Sequence, residues 1–327
     1  MTVGSGTARS RARPPLRRLG AAGLAAGLAA LGLWLYTPDA SRAALAARYQ
    51  RSPGDRLPVA GTALHVRDDG PRDAPALLLL HGFGASLHTW EPWAEALQGR
   101  FRVVRVDLPG FGLSDPDPAG DYSDERGVAV LVALLDELGI DRATVVGNSL
   151  GGRLAWRLAA ARPDRVARLV LIAPDGFASP GFAYGQPAEV PAALGLMRWV
   201  LPPVLVRESI APAYADPARL TPERLERYRD LMLAPGIRGA MLARMAGTVL
   251  VPPEPLLGRI TAPTLLLWGE RDQMIPVRNA ADYLRALPDA RLVTFPDLGH
   301  VPHEEAPAAA LEPLLRFLQA TSPPPPA

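Results

Sequence analysis

Between Leu77 and Leu318 the chain repeats one pattern: a short run dominated by apolar residues, then a longer stretch with helical spacing. The runs are Leu77–Leu80, Phe101–Val106, Thr144–Val146, Leu169–Ile172, Thr264–Trp268 and Leu292–Phe295. The helical stretches fall at Trp90–Leu97, Asp124–Leu138, Leu150–Ala161, Asn279–Leu287 and Ala308–Leu318. Runs this short, with so little polar alternation, suit strands covered on both faces of a parallel sheet. The alternation therefore predicts an α/β chain with a mostly parallel, doubly wound sheet. Ala60–Arg67 reads as an initial antiparallel hairpin strand.

The rhythm breaks once, from about 176 to 259, where proline-punctuated helical pieces are rich in Met, Trp, Tyr and Phe. Thr221-Pro222 marks a helix start there, a capping hydroxyl followed by proline at the first helical position. This interval reads as a helical cap inserted between two strands of a domain spanning 57–320. Residues 37–56 read as a linker with a short polar helix, and the Pro-rich end 321–327 as disordered.

Charge is concentrated at the amino end. All 35 basic residues are arginine, and five of them (Arg9, Arg11, Arg13, Arg17, Arg18) precede the first acid, Asp39. The rest carries 30 arginines against 33 carboxylates, a formal −3, so no basic face for nucleic acid is expected. Residues 1–18 form a basic tail. Leu19 to Tyr36 is a run of 18 uncharged residues ending in Trp34 and Tyr36. As a helix it would rise about 27 Å, close to the hydrocarbon thickness of a bilayer. The arginines on its amino side predict a membrane anchor that holds the remaining chain outside the cytoplasm. The alternative is a cleaved export signal ending near Ser41-Arg42-Ala43.

The chemistry centres on Gly147-Asn148-Ser149-Leu150-Gly151-Gly152, which follows one apolar run and opens a helical stretch. This is the context of a nucleophile elbow, a tight turn that projects serine above a sheet. Serine needs a base, and the base an orienting acid. Five histidines are available. His300, in Gly299-His300-Val301-Pro302-His303 just past the last strand, is better placed than His303, and is taken as the base. Asp272, in Gly269-Glu270-Arg271-Asp272 after the preceding strand, is the natural acid, with Glu270 the alternative. The chain has no cysteine, which excludes a thiol nucleophile and disulfides. Nothing resembles a phosphate loop, a dinucleotide fingerprint or zinc spacing, so no cofactor and no metal are expected.

The chain from about Leu57 to Leu318 resembles the α/β-hydrolase superfamily, in particular its capped esterases, lipases and C–C-bond hydrolases. The resemblance is carried by His81-Gly82-Phe83-Gly84, by Asp107 to Ser114, by the elbow and by Gly299-His300. The order Ser149, Asp272, His300 is that of the family. The resemblance implies an oxyanion hole made by the backbone N–H groups of Phe83 and Leu150, worth about 3–4 kcal/mol per donor. Substrate walls are expected from His81, Gly82 and Asn148 on the sheet side and from Phe177, Trp199 and Met241 in the cap. Apolar, Met-rich walls favour a carboxylic ester of an apolar acid, or a lipid, cleaved through an acyl-enzyme. Cap arginines (Arg198, Arg207, Arg219, Arg244) could instead hold a substrate carboxylate, although surface charge is the plainer reading. The alternative reaction is C–C-bond cleavage of a vinylogous diketone, for which Asn148 before the nucleophile also fits. The third reading is a hydrolase-fold ligand receptor without turnover.

Overall fold

The computed structural model describes residues 1, 30, 32–179, 183–188 and 190–320. The expected basic tail, most of the expected span and the Pro-rich end lie outside them. Among the described residues no helix is long and apolar enough to cross a membrane.

Eight strands form one sheet in the order β1-β2-β4-β3-β5-β6-β7-β8. They are β1 Arg56–Val59, β2 Thr62–Asp69, β3 Ala76–Leu80, β4 Arg102–Val106, β5 Ala143–Asn148, β6 Val166–Ile172, β7 Thr264–Gly269 and β8 Ala290–Phe295. β1 and β2 are antiparallel to their neighbours and every other pair is parallel. The expected hairpin strand at Ala60 begins two residues later. Ala60 and Gly61 have φ of 49° and 84°, the two positive values that a tight hairpin turn with the right twist requires.

The two faces of β3 feed separate cores, because side chains alternate along a strand. Leu78 and Leu80 join a cluster with Val145, Leu154 and Trp268, while Leu77 and Leu79 pack with Trp90, Trp93, Val146 and Leu314. Helices α1 Arg42–Tyr49, α2 Glu91–Leu97, α3 Asp124–Glu137 and α4 Leu150–Ala161 come before the cap. Between β6 and β7 lie the 3-10 turn Ala192–Arg198, α5 Pro203–Ile210, α6 Pro222–Met232, α7 Ile237–Gly247 and a short turn at Glu254–Leu257. The Thr221 hydroxyl caps α6 by accepting from Arg224 N–H at 3.3 Å. Helices α8 Asn279–Ala286 and α9 Pro307–Gln319 complete the second half.

Residues 37–49 do not behave as a free linker. Asp39 pairs with Arg238 of α7 at 2.6 Å, the Ala40 N–H donates to Leu233, and Arg48 pairs with Asp230 of α6 at 2.7 Å. On the sheet side Arg42 pairs with Asp115 at 2.6 Å, and the Tyr49 carbonyl accepts from Arg67 at 2.9 Å. This strap touches both the cap and the sheet domain, so complementary charge and backbone bonding hold a segment that composition alone marks as loose.

Candidate active site

β5 delivers Ser149 at its carboxyl end with φ 52° and ψ −117°, a conformation costly for an L-residue and characteristic of strained functional turns. A Cβ on Gly147 would stand 2.2 Å from the Gly151 carbonyl oxygen, and one on Gly151 would stand 2.3 Å from that of Leu80. Only glycine fits at either place. Helix α4 starts at Leu150, so the Leu150 N–H is among the donors that a helix leaves unpaired, at its positive end.

Asp272 and His300 come from the loops after β7 and β8. The Asp272 Oδ2 atom lies 2.7 Å from His300 Nδ1. The other oxygen accepts from the N–H groups of Met274 and Ile275 at 2.8 and 2.9 Å. Both side chains are buried. Glu270 turns away, accepting from Thr294 at an exposed position. Asn148 donates from Nδ2 to the carbonyls of Ile172 at 3.1 Å and His300 at 3.0 Å. Its amide ties the histidine loop to the elbow strand, so it holds the frame rather than lining the pocket.

His81 also departs from the expected wall role. It is fully buried, with Nδ1 donating to the Gly82 carbonyl at 2.7 Å and Nε2 accepting from Leu108 N–H at 3.0 Å. Burial pushes its pKa down, which matches the neutral tautomer that this pair of bonds needs. The Gly82 carbonyl and the Phe83 N–H belong to one peptide plane and point opposite ways. Gripping the carbonyl therefore orients the Phe83 donor. Gly82 itself lies against the elbow: a Cβ there would be 3.3 Å from Ser149 Cβ. The neighbouring loop is organised by Asp107, fully buried, which lies 2.7 Å from His65 and accepts from Leu87 and Leu113 N–H groups. Burial alone would raise this carboxyl; His65 beside it holds it below the ordinary carboxylate range.

The cap meets the His81–Gly84 loop through methionines. A Cβ on Gly84 would lie 3.3 Å from Met232 Cε and 3.7 Å from Met241 Cε, so both methionines lie over this loop. Three residues after Met241, on the same side of α7, Arg244 is buried with its guanidinium 5.4 Å from the Phe111 ring centre and 4.9 Å from that of Tyr122. Phe111 in turn packs edge-on against Phe83 at 5.3 Å. Arg244 donates to the carbonyls of Tyr122 and Pro109 and makes no ion pair among the described residues. Burial lowers its pKa to about 10. The other cap arginines named above are exposed or half-buried.

Two expected wall residues do not meet this loop. Trp199 is 54% exposed at the end of the 3-10 turn, where its carbonyl accepts from Thr37. Phe177 is buried edge-on to Tyr283 at 4.8 Å, a packing position beside α8. Composition marked both as apolar, but their place in the cap depended on how its pieces fold back.

Sequence reasoning missed the role of Glu304 and Glu305. Buried Glu305 accepts from the N–H groups of Ala215, Asp216 and Gly299, joining the cap to the His300 loop. Buried Glu304 accepts from Thr89, Arg227 and Tyr228, joining α6 to the turn after the His81–Gly84 loop. Acidic residues opening a helix look like ordinary first-turn charge, and no local signal separates these from that case.

The family model for the alpha/beta hydrolase fold matches residues 75–307. The chain is 32% identical over 248 residues to a 2-hydroxy-6-oxononadienedioate/2-hydroxy-6-oxononatrienedioate hydrolase of Cupriavidus pinatubonensis, covering 72% of this chain and 84% of that one. The solved 2-hydroxy-6-oxo-6-phenylhexa-2,4-dienoate hydrolase of a Rhodococcus species superposes with a TM-score of 0.70 at 25% identity, covering 81% and 98%. A bacterial membrane phospholipase A superposes with a TM-score of 0.68 at 27% identity, covering 93% and 98%. The two dienoate hydrolases fit the C–C-bond alternative better than the ester reading. An eight-stranded, mostly parallel sheet, an elbow serine and hydrolase relatives over most of the chain agree: the protein is an enzyme of the α/β-hydrolase family.

Proposed function

We propose that the protein is a serine hydrolase that cleaves the C–C bond beside a ketone in a vinylogous diketone carrying a carboxylate. Ser149 Oγ adds to the ketone carbon as its proton passes to His300, whose imidazolium is stabilised by Asp272. The Phe83 and Leu150 N–H groups receive the oxyanion. Collapse breaks the C–C bond, and the electron pair leaves into the conjugated half, which takes the proton from His300. Water then opens the acyl-enzyme to a carboxylic acid. The carrying observation is Arg244, a buried cation with no ion pair among the described residues, on the helix that carries Met241 over the His81–Gly84 loop. A planar guanidinium suits a substrate carboxylate, and the substrates for which the two dienoate hydrolases are named are carboxylates with a 6-oxo group. The test is turnover of a 2-hydroxy-6-oxo-dienoate, followed by loss of its absorbance, against p-nitrophenyl esters, with Ser149→Ala as control. Ester turnover with no dienoate turnover would overturn this reading.

Ester or lipid cleavage is the second reading, and one observation favours it: the phospholipase alignment extends over 93% of this chain, against 81% for the dienoate hydrolase. The same serine, histidine and N–H groups would serve. That longer match also supports a retained membrane anchor at 19–36 with the domain outside the cytoplasm. So does the strap, since cleavage after Ala43 would remove the Asp39–Arg238 pair. Recovery of the intact amino end from carbonate-washed membranes tests this; recovery of a chain starting at Ala44 would refute it.

A further inference from the structure

Large apolar side chains lie open on one side of the cap. Leu194, Leu196 and Trp199 on the 3-10 turn and at its end, with Val204 and Leu205 on α5, are 40–59% exposed. Val206 and Ile210 already fill the inward face of α5, so Val204 and Leu205 form a second apolar face with no core beneath it. Leu33, Trp34 and Tyr36 are 53–80% exposed. Two hydrogen bonds bring the groups together: the Thr37 N–H donates to the Trp199 carbonyl at 2.7 Å, and Leu201 N–H to the Thr37 hydroxyl at 3.1 Å. Between Glu189 and Glu208 the chain contains two arginines and no acid. Exposed apolar surface of this kind marks an interaction site on a folded domain.

We propose that this side of the cap docks on the surface of a lipid bilayer, with Trp199, Trp34 and Tyr36 at headgroup level and Leu196, Val204 and Leu205 reaching the acyl boundary. The proposal rests on the reading of 19–36 as a retained anchor. The apolar run enters the described fold at Leu33–Tyr36, and Thr37, the next residue, is fastened to Trp199. A membrane that holds the run lies within a few ångströms of the patch, at about 3.5 Å per residue. Aromatic side chains and arginines beside aliphatic ones suit an interface with anionic headgroups. Arg238 of α7 donates to the Met197 carbonyl at 3.2 Å as well as pairing with Asp39. The docking face is thereby connected to the helix that carries Met241 over the oxyanion loop.

The chain has no cysteine, so single substitutions carry a label at one place. Full-length Leu196→Cys, Leu205→Cys and, as an exposed control, Asp73→Cys carry a polarity-sensitive NBD dye in vesicles of phosphatidylcholine and phosphatidylglycerol. Flotation with the vesicles reads the anchor, and dye emission with quenching by nitroxide lipids reads the docking. The expected result is flotation of all three, with a roughly twofold rise in emission and nitroxide quenching at 196 and 205 only. Flotation with both cap dyes still in water overturns docking and leaves the anchor standing. Absence of flotation overturns both. Emission that rises with protein density but is not quenched by nitroxide lipid means that a second copy covers the face, which also overturns docking.

Discussion

Asp272 Oδ2 stands 2.7 Å from His300 Nδ1 while Oδ1 receives two backbone N–H groups. The carboxylate is thus held from both sides, and its orientation leaves no freedom to the imidazole. In Asp272→Asn the amide must turn a donor either toward the Nδ1–H or toward the Met274 and Ile275 N–H groups. The substitution is expected to cut kcat about 10³- to 10⁴-fold with an unchanged fold. Steady-state kinetics beside circular dichroism check it, and a loss under tenfold would count against His300 as the base.

His81 grips the Gly82 carbonyl, and in the proposed mechanism it acts through the Gly82–Phe83 peptide rather than on substrate. His81→Ala leaves the Gly82 carbonyl with the Ala85 N–H at 3.2 Å and unpairs the buried Leu108 N–H, so a loss of about 1–3 kcal/mol in stability is expected. Its kinetic mark is a fall in kcat of about 10- to 100-fold with KM nearly constant, because a donor to the oxyanion is felt in the transition state. A change in KM alone would point to a wall residue instead.

Arg244 separates the two reactions. Arg244→Gln is expected to raise KM for a dienoate carboxylate about 10- to 100-fold, the worth of one charge-assisted contact. Uncharged p-nitrophenyl esters should be affected far less. Equal losses on both substrates would assign Arg244 to packing against Phe111 and Tyr122.

Acid should destabilise the fold before its carboxylates titrate. Burial lowers His88 to about 4 and His303 to about 3, against about 6.5 in the unfolded chain. Between these values the unfolded state binds the extra protons, so stability falls as pH drops below about 6.5, by up to about 1.4 kcal/mol per pH unit for each histidine. Thermal unfolding from pH 7 to pH 5 checks this. A flat Tm, or an unaltered slope in His303→Gln, would refute it.

Glu305 is expected to matter for the union of cap and sheet. Glu305→Ala leaves three backbone donors without their acceptor, at a cost of about 3 kcal/mol. Protease cleavage within 190–260 that appears before global unfolding would mark the cap as the part released.

Much was legible from one line of residues. Strand–helix alternation implied the parallel sheet, because a strand buried on both faces must be apolar throughout. The elbow implied its own turn, because Gly147 answers a clash with Gly151 four residues on, whereas Gly151 answers Leu80 on the neighbouring strand. His300 and Asp272 could be picked out because each follows a strand end, and parallel strands bring their carboxyl ends to one edge. Tertiary structure decided the rest. Asn148 and His81 carry polar groups that look available in sequence, yet their partners, His300 and Leu108, are 152 and 27 residues away. Trp199 and Phe177 are equally apolar by composition, and only the folding of the cap left one open and the other against Tyr283. The strap at 37–49 reads as polar and loose until Asp39 meets Arg238, 199 positions on. Local chemistry determines an element; where its charges and amides find partners depends on contacts that no window of sequence contains.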